Sequence, residues 1–430
     1  MKNFLQKILA TLAKKILAKY KPKVIGITGS VGKTTAKEMT AAVLSARFRV
    51  GATSKNNNNE IGVPLAILGI DEAPGSSVIA WVGALLKGIG LLVGAKKKYP
   101  EVLVLEMGAD KPGDIRYLVD LAPCTVGVLT WISHAHTEFF KTLKQIAEEK
   151  RKIISHMDKH GTAVLNFDNE LARESASSAK GTVVTYGFKD GADLRATDLK
   201  ILYDPITGWP AGINCKINFK GHSVPLFFPG VIAEHIVGSS LAALAVGDAL
   251  GINLVEAAGA LTATEPPKGR MRLLKGVKKT LLIDDTYNSS PDAAKSALKT
   301  LGALENKAGG KRYAVLGDML ELGAETEMAH REVGFMVAET GIDFLITVGE
   351  ASKITCHAAE EAGLSGNQIA AFADSTSAGR FLQEKIKEGD MILVKGSQGV
   401  RMERVVKEVM DDPIMAERLL VRQEKKWLQD

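Results

Sequence analysis

The chain has 430 residues, of which 46% are apolar and 24% charged, with a net charge of +6. That length points to two or three domains with cores of their own, and the balance excludes wholesale disorder and a fibrous repeat. Seven lysines and no acid fall within residues 1–23, so the rest of the chain is close to neutral and no nucleic-acid partner is expected. Cys124, Cys215 and Cys356 are far apart and form no CxxC. A zinc site or a disulfide framework is therefore not expected, and a reducing cytoplasm fits.

The first 22 residues read as a basic amphipathic helix. Leu5, Ile8, Leu9, Leu12 and Ile16 share one face, Lys2, Lys7 and Lys14 lie mostly off it, and Pro22 ends it. It lacks the long apolar core and small-residue cleavage site of a secretory signal. Two readings stay open: a helix docked on the domain, or one lying on an anionic membrane. Residues 77–98 resemble it, with a nearly continuous apolar run, Lys87 in the middle and Lys96, Lys97 and Lys98 after it. The central lysine and the short length argue against a transmembrane span. A buried helix or an interfacial hairpin is expected instead, with peripheral contact to the inner face of a membrane through 1–22 and 77–98.

From residue 23, β-rich runs alternate with helical patterns. Strands are predicted at 24–28, 102–108, 126–132 and 161–167, and a helix at 36–46. Their near-continuous Val/Ile/Leu content suits a parallel sheet covered on both faces. Residues 182–229 read as a small antiparallel insert, followed by an Ala-rich helix at 235–250. A Pro/Gly linker is predicted at 263–274. The alternation then restarts with strands at 280–285, 312–318, 343–349 and 391–397. The expected class is α/β, with a central P-loop domain over 23–267 (insert 182–229) and a C-terminal Rossmann-like α/β domain over 268–430.

Open α/β sheets bind ligands at the carboxyl ends of their strands, so motifs there carry the chemistry. GITGSVGKTT (26–35) joins a strand to a helix. Its backbone N–H groups from Gly29, Ser30, Val31, Gly32 and Thr35 can wrap a polyphosphate at a helix N-terminus. Lys33 would neutralise the β/γ phosphates and Thr34 would ligate Mg²⁺. Ile27 stands where the usual motif has its first glycine. Glu106 in EMGAD ends the next strand and can hold a magnesium ion. His136 in SHAHTEFF ends another strand of the same edge.

These residues, in this order, resemble the Mur ligase family. The resemblance rests on VIGITGSVGKTTAKEM, T-x-x-N-x-N-N-x-I-G-x-P (53–64), EMGAD, AHTEFF, GRMR, DDTYNSSPDA, LGDMLELG and KGSxxxRME. It is strongest for the member that adds D-alanyl-D-alanine to a UDP-linked muramoyl tripeptide in peptidoglycan precursor synthesis. It implies an ATP-dependent, Mg²⁺-requiring amide ligase acting through an acyl phosphate, with the muramoyl peptide and D-Ala-D-Ala as substrates. The implied metal set is Thr34, Glu106 and His136, and Lys150 would be the lysine whose carbamate supports a second metal. Arg270, Asp285, Asn288 and His235 would address the nucleotide. Thr53, Asn56 and Asn59 would contact the sugar-peptide substrate. His330, Lys395, Ser397 and Glu403 match family positions that bound the pocket for the dipeptide.

Two departures stand out. About 22 residues precede the P-loop strand, where family members carry a domain that grips the uridine nucleotide. EHIVGSSLAA (234–243) has Ile236 and Ser239 where the family has asparagines near adenine. The alternatives are another amide ligase of the superfamily with a different carboxylate substrate, and a membrane-associated P-loop ATPase or regulatory subunit.

Overall fold

The computed structural model describes residues 2–53, 57–71, 73–75, 77–94, 99–133, 140, 142–424 and 427, with side chains from residue 5 onward. The chain divides into two compact units. The first comprises residues 1–198, 215–226 and 234–264, and the second residues 199–214, 227–233 and 265–430.

The first unit opens with α1 (Lys2–Tyr20), β1 (Lys23–Thr28), α2 (Lys33–Ser45), β2 (Val50–Ala52), α3 (Gly62–Ile67) and α4 (Val78–Val93). It continues through β3 (Val102–Glu106), α5 (Asp114–Leu121), β4 (Val126–Leu129), α6 (Leu143–Ser155), β5 (Thr162–Asn166), α7 (Glu170–Glu174) and β6 (Thr182–Gly187). Three longer strands follow, β7 (Leu194–Tyr203), β8 (Pro210–Phe219) and β9 (His222–Pro229), whose residues 199–203, 210–214 and 227–229 count with the second unit, then α8 (Glu234–Ala249) and α9 (Leu254–Thr262). The sheet order is β2-β3-β1-β4-β5-β6-β7-β8-β9, and every pairing from β2 to β7 is parallel.

β1 and β3 are the buried centre, as their unbroken aliphatic runs predict; all five residues of β3 are buried. Residues 182–187 differ from expectation. They pair in parallel with β5, from Thr182 opposite Thr162 to Tyr186 opposite Asn166. A run of β-branched residues fits a pleated edge in either direction, so its composition does not encode strand polarity. The hairpin strands begin only at Leu194.

α1 is docked. Leu9, Ala13 and Ile16 are fully buried, with Leu5, Leu12 and Leu17 partly so, in the core that also holds Val63, Leu68 and Ala84. Burying a Leu or Ile side chain of this kind contributes about 1.5–3 kcal/mol. Lys19 fastens the helix to α4: its Nζ donates to the carbonyls of Leu91, Leu92 and Gly94 at 2.9, 2.8 and 2.6 Å. The Tyr20 hydroxyl donates to Leu91 as well, at 2.8 Å, and its ring stacks on Tyr99. These carbonyls are the unsatisfied C-terminal end of α4, where a cation is favoured. Residues 78–93 form one continuous helix, not a hairpin, and only Ala84 and Gly88 on it are buried. Among the described residues no helix is long and apolar enough to cross a membrane.

The second unit contains β10 (Arg272–Gly276), β11 (Thr280–Asp285), α10 (Pro291–Ala303), β12 (Arg312–Gly317), α11 (Thr326–Glu339), β13 (Phe344–Val348), α12 (Ser352–Glu361), β14 (Ile369–Phe372), α13 (Ser375–Lys385), β15 (Met391–Lys395), α14 (Glu403–Val409) and α15 (Ala416–Leu419). Its sheet order is β10-β11-β15-β12-β13-β14, with only β10 antiparallel. β10 begins inside the stretch expected to be linker, and β14 lies in a half-exposed IAAF run with no strong strand signal.

The Lys19 contacts predict that Lys19→Met will lower stability by about 1 kcal/mol. Amide exchange should speed up over Leu91–Gly94. Unchanged exchange there would show that the ammonium is dispensable to α4.

Candidate active site

The first unit builds its site at the carboxyl edge of β3, β1 and β4, where the strand order reverses around β1. Gly29 (φ 154°) lies against Thr130 so closely that an added Cβ would sit 1.9 Å from its hydroxyl. Gly32 (φ 85°) caps α2 in the left-handed region that favours glycine. The loop is tied to the end of β4. Ser30 N–H donates to the Trp131 carbonyl at 2.6 Å, Ser30 Oγ to Ser133 O at 2.8 Å, and Thr130 Oγ1 to Val31 O at 2.7 Å. Lys33 Nζ donates back to the carbonyls of Gly29 (2.9 Å) and Ser30 (3.2 Å). The N–H groups at the start of α2 thus border a glycine loop fixed to the sheet, the arrangement that binds phosphate.

On the neighbouring strand Glu106 is buried. Its Oε1 accepts from Asn58 Nδ2 at 3.1 Å, while Oε2 has no hydrogen-bond partner. A buried carboxylate oxygen left unpaired is costly unless a cation joins it. Lys150, buried on α6, is the second charged group. Burial pushes its ammonium down to about 7, Lys33 pushes the same way, and Glu149 and Asp110 oppose. Glu149 is already committed, accepting from Ile115 N–H and Gly113 N–H at 2.9 Å each and from Lys152 at 2.5 Å. Next to Glu106 opens a cleft of about 460 Å³, lined by Asn58, Asn59, Glu60, Asp110, Tyr117 and Gln6 of α1 among others.

The second unit gathers the loops after β11, β12 and β15 at its own carboxyl edge. Lys395 and Asp285 form a buried pair at 2.7 Å, and Lys395 also donates to Asn288 O at 3.0 Å. The other oxygen of Asp285 accepts from Met271 N–H at 3.2 Å. Ser397 Oγ accepts from Leu320 N–H at 2.9 Å, and buried His330 accepts Met319 N–H at Nε2, 3.1 Å. Glu403 is gripped by Arg401 at 2.6 Å and by Arg422 Nε at 2.9 Å. Arg422 also donates to the carbonyls of Thr286 and Tyr287. The guanidinium of Arg270 stacks 3.9 Å from the Tyr287 ring centre.

Two family descriptions match this chain: "Mur ligase middle domain" over residues 27–84 and 87–247, and "Mur ligase, glutamate ligase domain" over 269–398. The UDP-N-acetylmuramoyl-tripeptide--D-alanyl-D-alanine ligase of Bacillus subtilis (strain 168) is 30% identical over 406 residues, covering 94% of this chain and 80% of the relative. The protein of that name from Synechocystis sp. is 33% identical, covering 90% and 74%. The chain belongs to the Mur ligase family. Among solved structures similar to it is the MurF ligase from Thermotoga maritima in complex with ADP, at 28% identity and a TM-score of 0.76, covering 94% of this chain and 83% of that one.

Within this Mur ligase the residues singled out from sequence fare differently. Gly29–Thr35, Glu106 and Lys150 belong to one unit, with Lys33 and Lys150 close enough to influence each other's charge. His136 and Asn56 lie outside the described residues. Thr53 is buried, its hydroxyl accepting Glu106 N–H at 3.0 Å and its own N–H donating to Val104 O. Asn59 Oδ1 accepts from Ile61 and Gly62 N–H at 3.2 and 2.9 Å, starting α3. Both side chains therefore bond to backbone, while Asn58, quoted in the motif but given no role, is the one that touches Glu106. His235 is exposed at the start of α8, Ile236 is buried, and Ser239 approaches the P-loop at Gly32. Asn288 is exposed, whereas Asp285 spends both oxygens internally. Arg422 had no signal in the sequence.

Asp284, fully buried beside this loop, supplies a pH test. Burial pushes its carboxyl up to about 6, against hydrogen bonds from the Thr286 hydroxyl (2.6 Å) and N–H (3.2 Å). The native state then holds its proton more tightly than the unfolded chain. That contribution is complete below about pH 4 and is lost as pH rises through the native value. Asp284→Asn keeps an acceptor for Thr286. It should melt like wild type near pH 4 and at a higher temperature near pH 8. A lower melting temperature near pH 8 would mean that the carboxylate itself is needed.

Proposed function

We propose that the chain is an ATP-dependent amide ligase that joins D-alanyl-D-alanine to the terminal carboxylate of a UDP-N-acetylmuramoyl-tripeptide, in the cytoplasm. The carrying observation is the juxtaposition of a fixed glycine loop and helix N-terminus with Glu106, a buried carboxylate that has an unpaired oxygen. The names of the relatives support the choice of substrates.

The chemistry asks for charge neutralisation and alignment. A substrate carboxylate attacks the γ-phosphorus of ATP, ADP leaves, and the acyl phosphate receives the dipeptide amine. The tetrahedral intermediate expels phosphate as the amine gives up a proton. Both partners of the first step are anions, so stabilising the spreading charge matters more than covalent catalysis. The amides of Gly29–Thr35 would hold the phosphates and Lys33 would shift from its loop carbonyls to the transferred group. Thr34 and Glu106 are the described residues suited to hold Mg²⁺. The ion would supply further charge neutralisation at the phosphates, and such an ion keeps most of its oxygen ligands from phosphate and water. We assign His136 to the same set. A lysine that is neutral near pH 7 is the form that adds carbon dioxide, so Lys150 suits a carbamate that would turn a buried cation into an anion near the metal. Arg270 offers the bidentate geometry that suits phosphate. The cleft beside Asn58 and Glu60 is the place we assign to the peptide end of the acceptor.

Incubation with ATP, Mg²⁺, D-Ala-D-Ala and UDP-linked muramoyl tripeptide should give a product with the summed substrate mass less one water. Phosphate release that needs neither substrate would instead favour a switch ATPase. Glu106→Ala should lower kcat by at least about a hundredfold while melting close to wild type, since the carboxylate has a single side-chain partner. Near-normal turnover would remove Glu106 from the mechanism.

A further inference from the structure

Fifteen large apolar side chains are exposed among the described residues, and six of them sit on α4: Val78, Ile79, Val82, Leu86, Ile89 and Val93, at 48–85% exposure. At about 100° per residue the six fall on one arc of roughly 100°. This is a continuous apolar stripe on the outside of the protein, where single scattered residues are the norm. The polar groups of the helix are turned away from it. Lys87 Nζ donates to the carbonyl of Gly69, and Trp81 Nε1 donates to Gly75 O at 2.9 Å.

α1 runs beside α4 in the same direction: Leu12 approaches Gly88, and Lys19 and Tyr20 reach Leu91–Gly94. Its buried face points into the core, and Lys7, Lys14 and Lys15 are exposed on the other side, followed by Lys21 and Lys23. Residues 1–23 and 77–98 together hold eleven lysines and no acid. Among the described residues the outer face of α4 is apolar, and the exposed lysines of α1 and of the turn after it lie on the neighbouring helix, while Asp71 is exposed on the loop that packs on α4.

We propose that α1 and α4 form a docking surface for an anionic phospholipid membrane, with the α4 stripe lying in the interface and the α1 lysines meeting the headgroups. The helix lies on the bilayer and does not cross it: sixteen residues rise about 24 Å, short of a hydrocarbon core of about 30 Å. Charge disfavours a second copy of the chain as occupant, because two facing copies would bring lysine against lysine and neither residues 1–23 nor residues 77–98 hold an acid of their own to pair with them. The combination of an apolar face and lysine-rich flanks is that of an interfacial helix. None of the stripe residues or exposed α1 lysines belongs to the phosphate or metal site or lines the cleft assigned to the acceptor, which α1 reaches through Gln6.

The test is co-sedimentation of the full chain with vesicles of phosphatidylcholine alone, or of phosphatidylcholine mixed with phosphatidylglycerol. Binding is expected on the mixed vesicles, weakened by salt. It should fall at least about tenfold in Leu86→Asp/Ile89→Asp and in Lys7→Glu/Lys14→Glu/Lys15→Glu. All five positions are exposed, so the melting temperature of each variant should stay near wild type. If one variant fails to fold, the other decides alone. Absence of binding to mixed vesicles, equal binding to neutral vesicles, or retention by both variants would overturn the proposal. So would a lipid-free dimer abolished by the α4 substitutions, which would identify a second copy as the occupant.

Discussion

Two lysines that repel each other set the terms of the first unit. Lys150 lies at a buried sheet edge and is pushed towards the neutral form first by burial and then by the charge of Lys33. Nearby, Glu106 keeps a carboxylate oxygen without a partner. Alone, each feature costs stability. A magnesium-bound polyphosphate would bring an anion to the lysines and a cation to Glu106. The fold holds the unfavourable arrangement in place with a rigid frame: Gly29 pressed on Thr130, Ser30 bonded to Trp131 and Ser133, and Glu149 spent on the start of α5. Strain of this electrostatic kind is expected at a site whose ligand is itself highly charged.

The second unit uses buried charge differently. Its loops are held by buried ion pairs, Asp285 with Lys395, and Glu403 with Arg401 and Arg422, although Asp284 beside them also keeps one oxygen without a hydrogen-bond partner. A satisfied buried pair adds little net stability, but removing one partner leaves the other uncompensated. Such pairs suit the fixing of loop geometry. Here they hold residues 285–289 through Lys395 and Arg422, and Ser397 and His330 hold the start of the 318–323 loop in the same way. The second unit thus presents a pre-shaped loop cluster, whereas the first presents a carboxylate oxygen without a partner at the edge that carries the phosphate loop.

This contrast explains what could be read from the sequence. The strands were legible because a sheet covered on both faces demands unbroken aliphatic runs, as in VIGIT and VLVLE. The phosphate loop was legible because its glycines and Lys33 are contiguous. β10 and β14 were not, since their register comes from neighbours and their runs are too short and mixed to stand out. The direction of β6 was hidden for a related reason: pairing direction follows from connection geometry. Site residues divided along the same line. Asp285 could be singled out by its motif, but its partner Lys395 lies 110 residues away, so the sequence did not reveal that its oxygens are spent internally. Arg422 belongs to no local pattern and becomes visible only when Glu403 and the Thr286 carbonyl are seen beside it.

The N-terminal segment shows the same limit from another side. Periodicity located the buried face of α1 through Leu9, Leu12 and Ile16, yet left open whether that face met protein or lipid. The structure gives it to protein, through Leu9, Ala13 and Ile16. The apolar surface left exposed moves instead to α4. Lys19 makes that transfer possible: by satisfying the last carbonyls of α4, it lets a helix that buries only Ala84 and Gly88 end without support from a packed core. A helix so weakly buried gains little from its own domain, since most helical stability comes from packing an apolar face. Its outward stripe holds six of the exposed large apolar side chains among the described residues, an apolar stabilisation that the fold leaves uncollected, and the lysines of α1 determine which kind of surface can supply it.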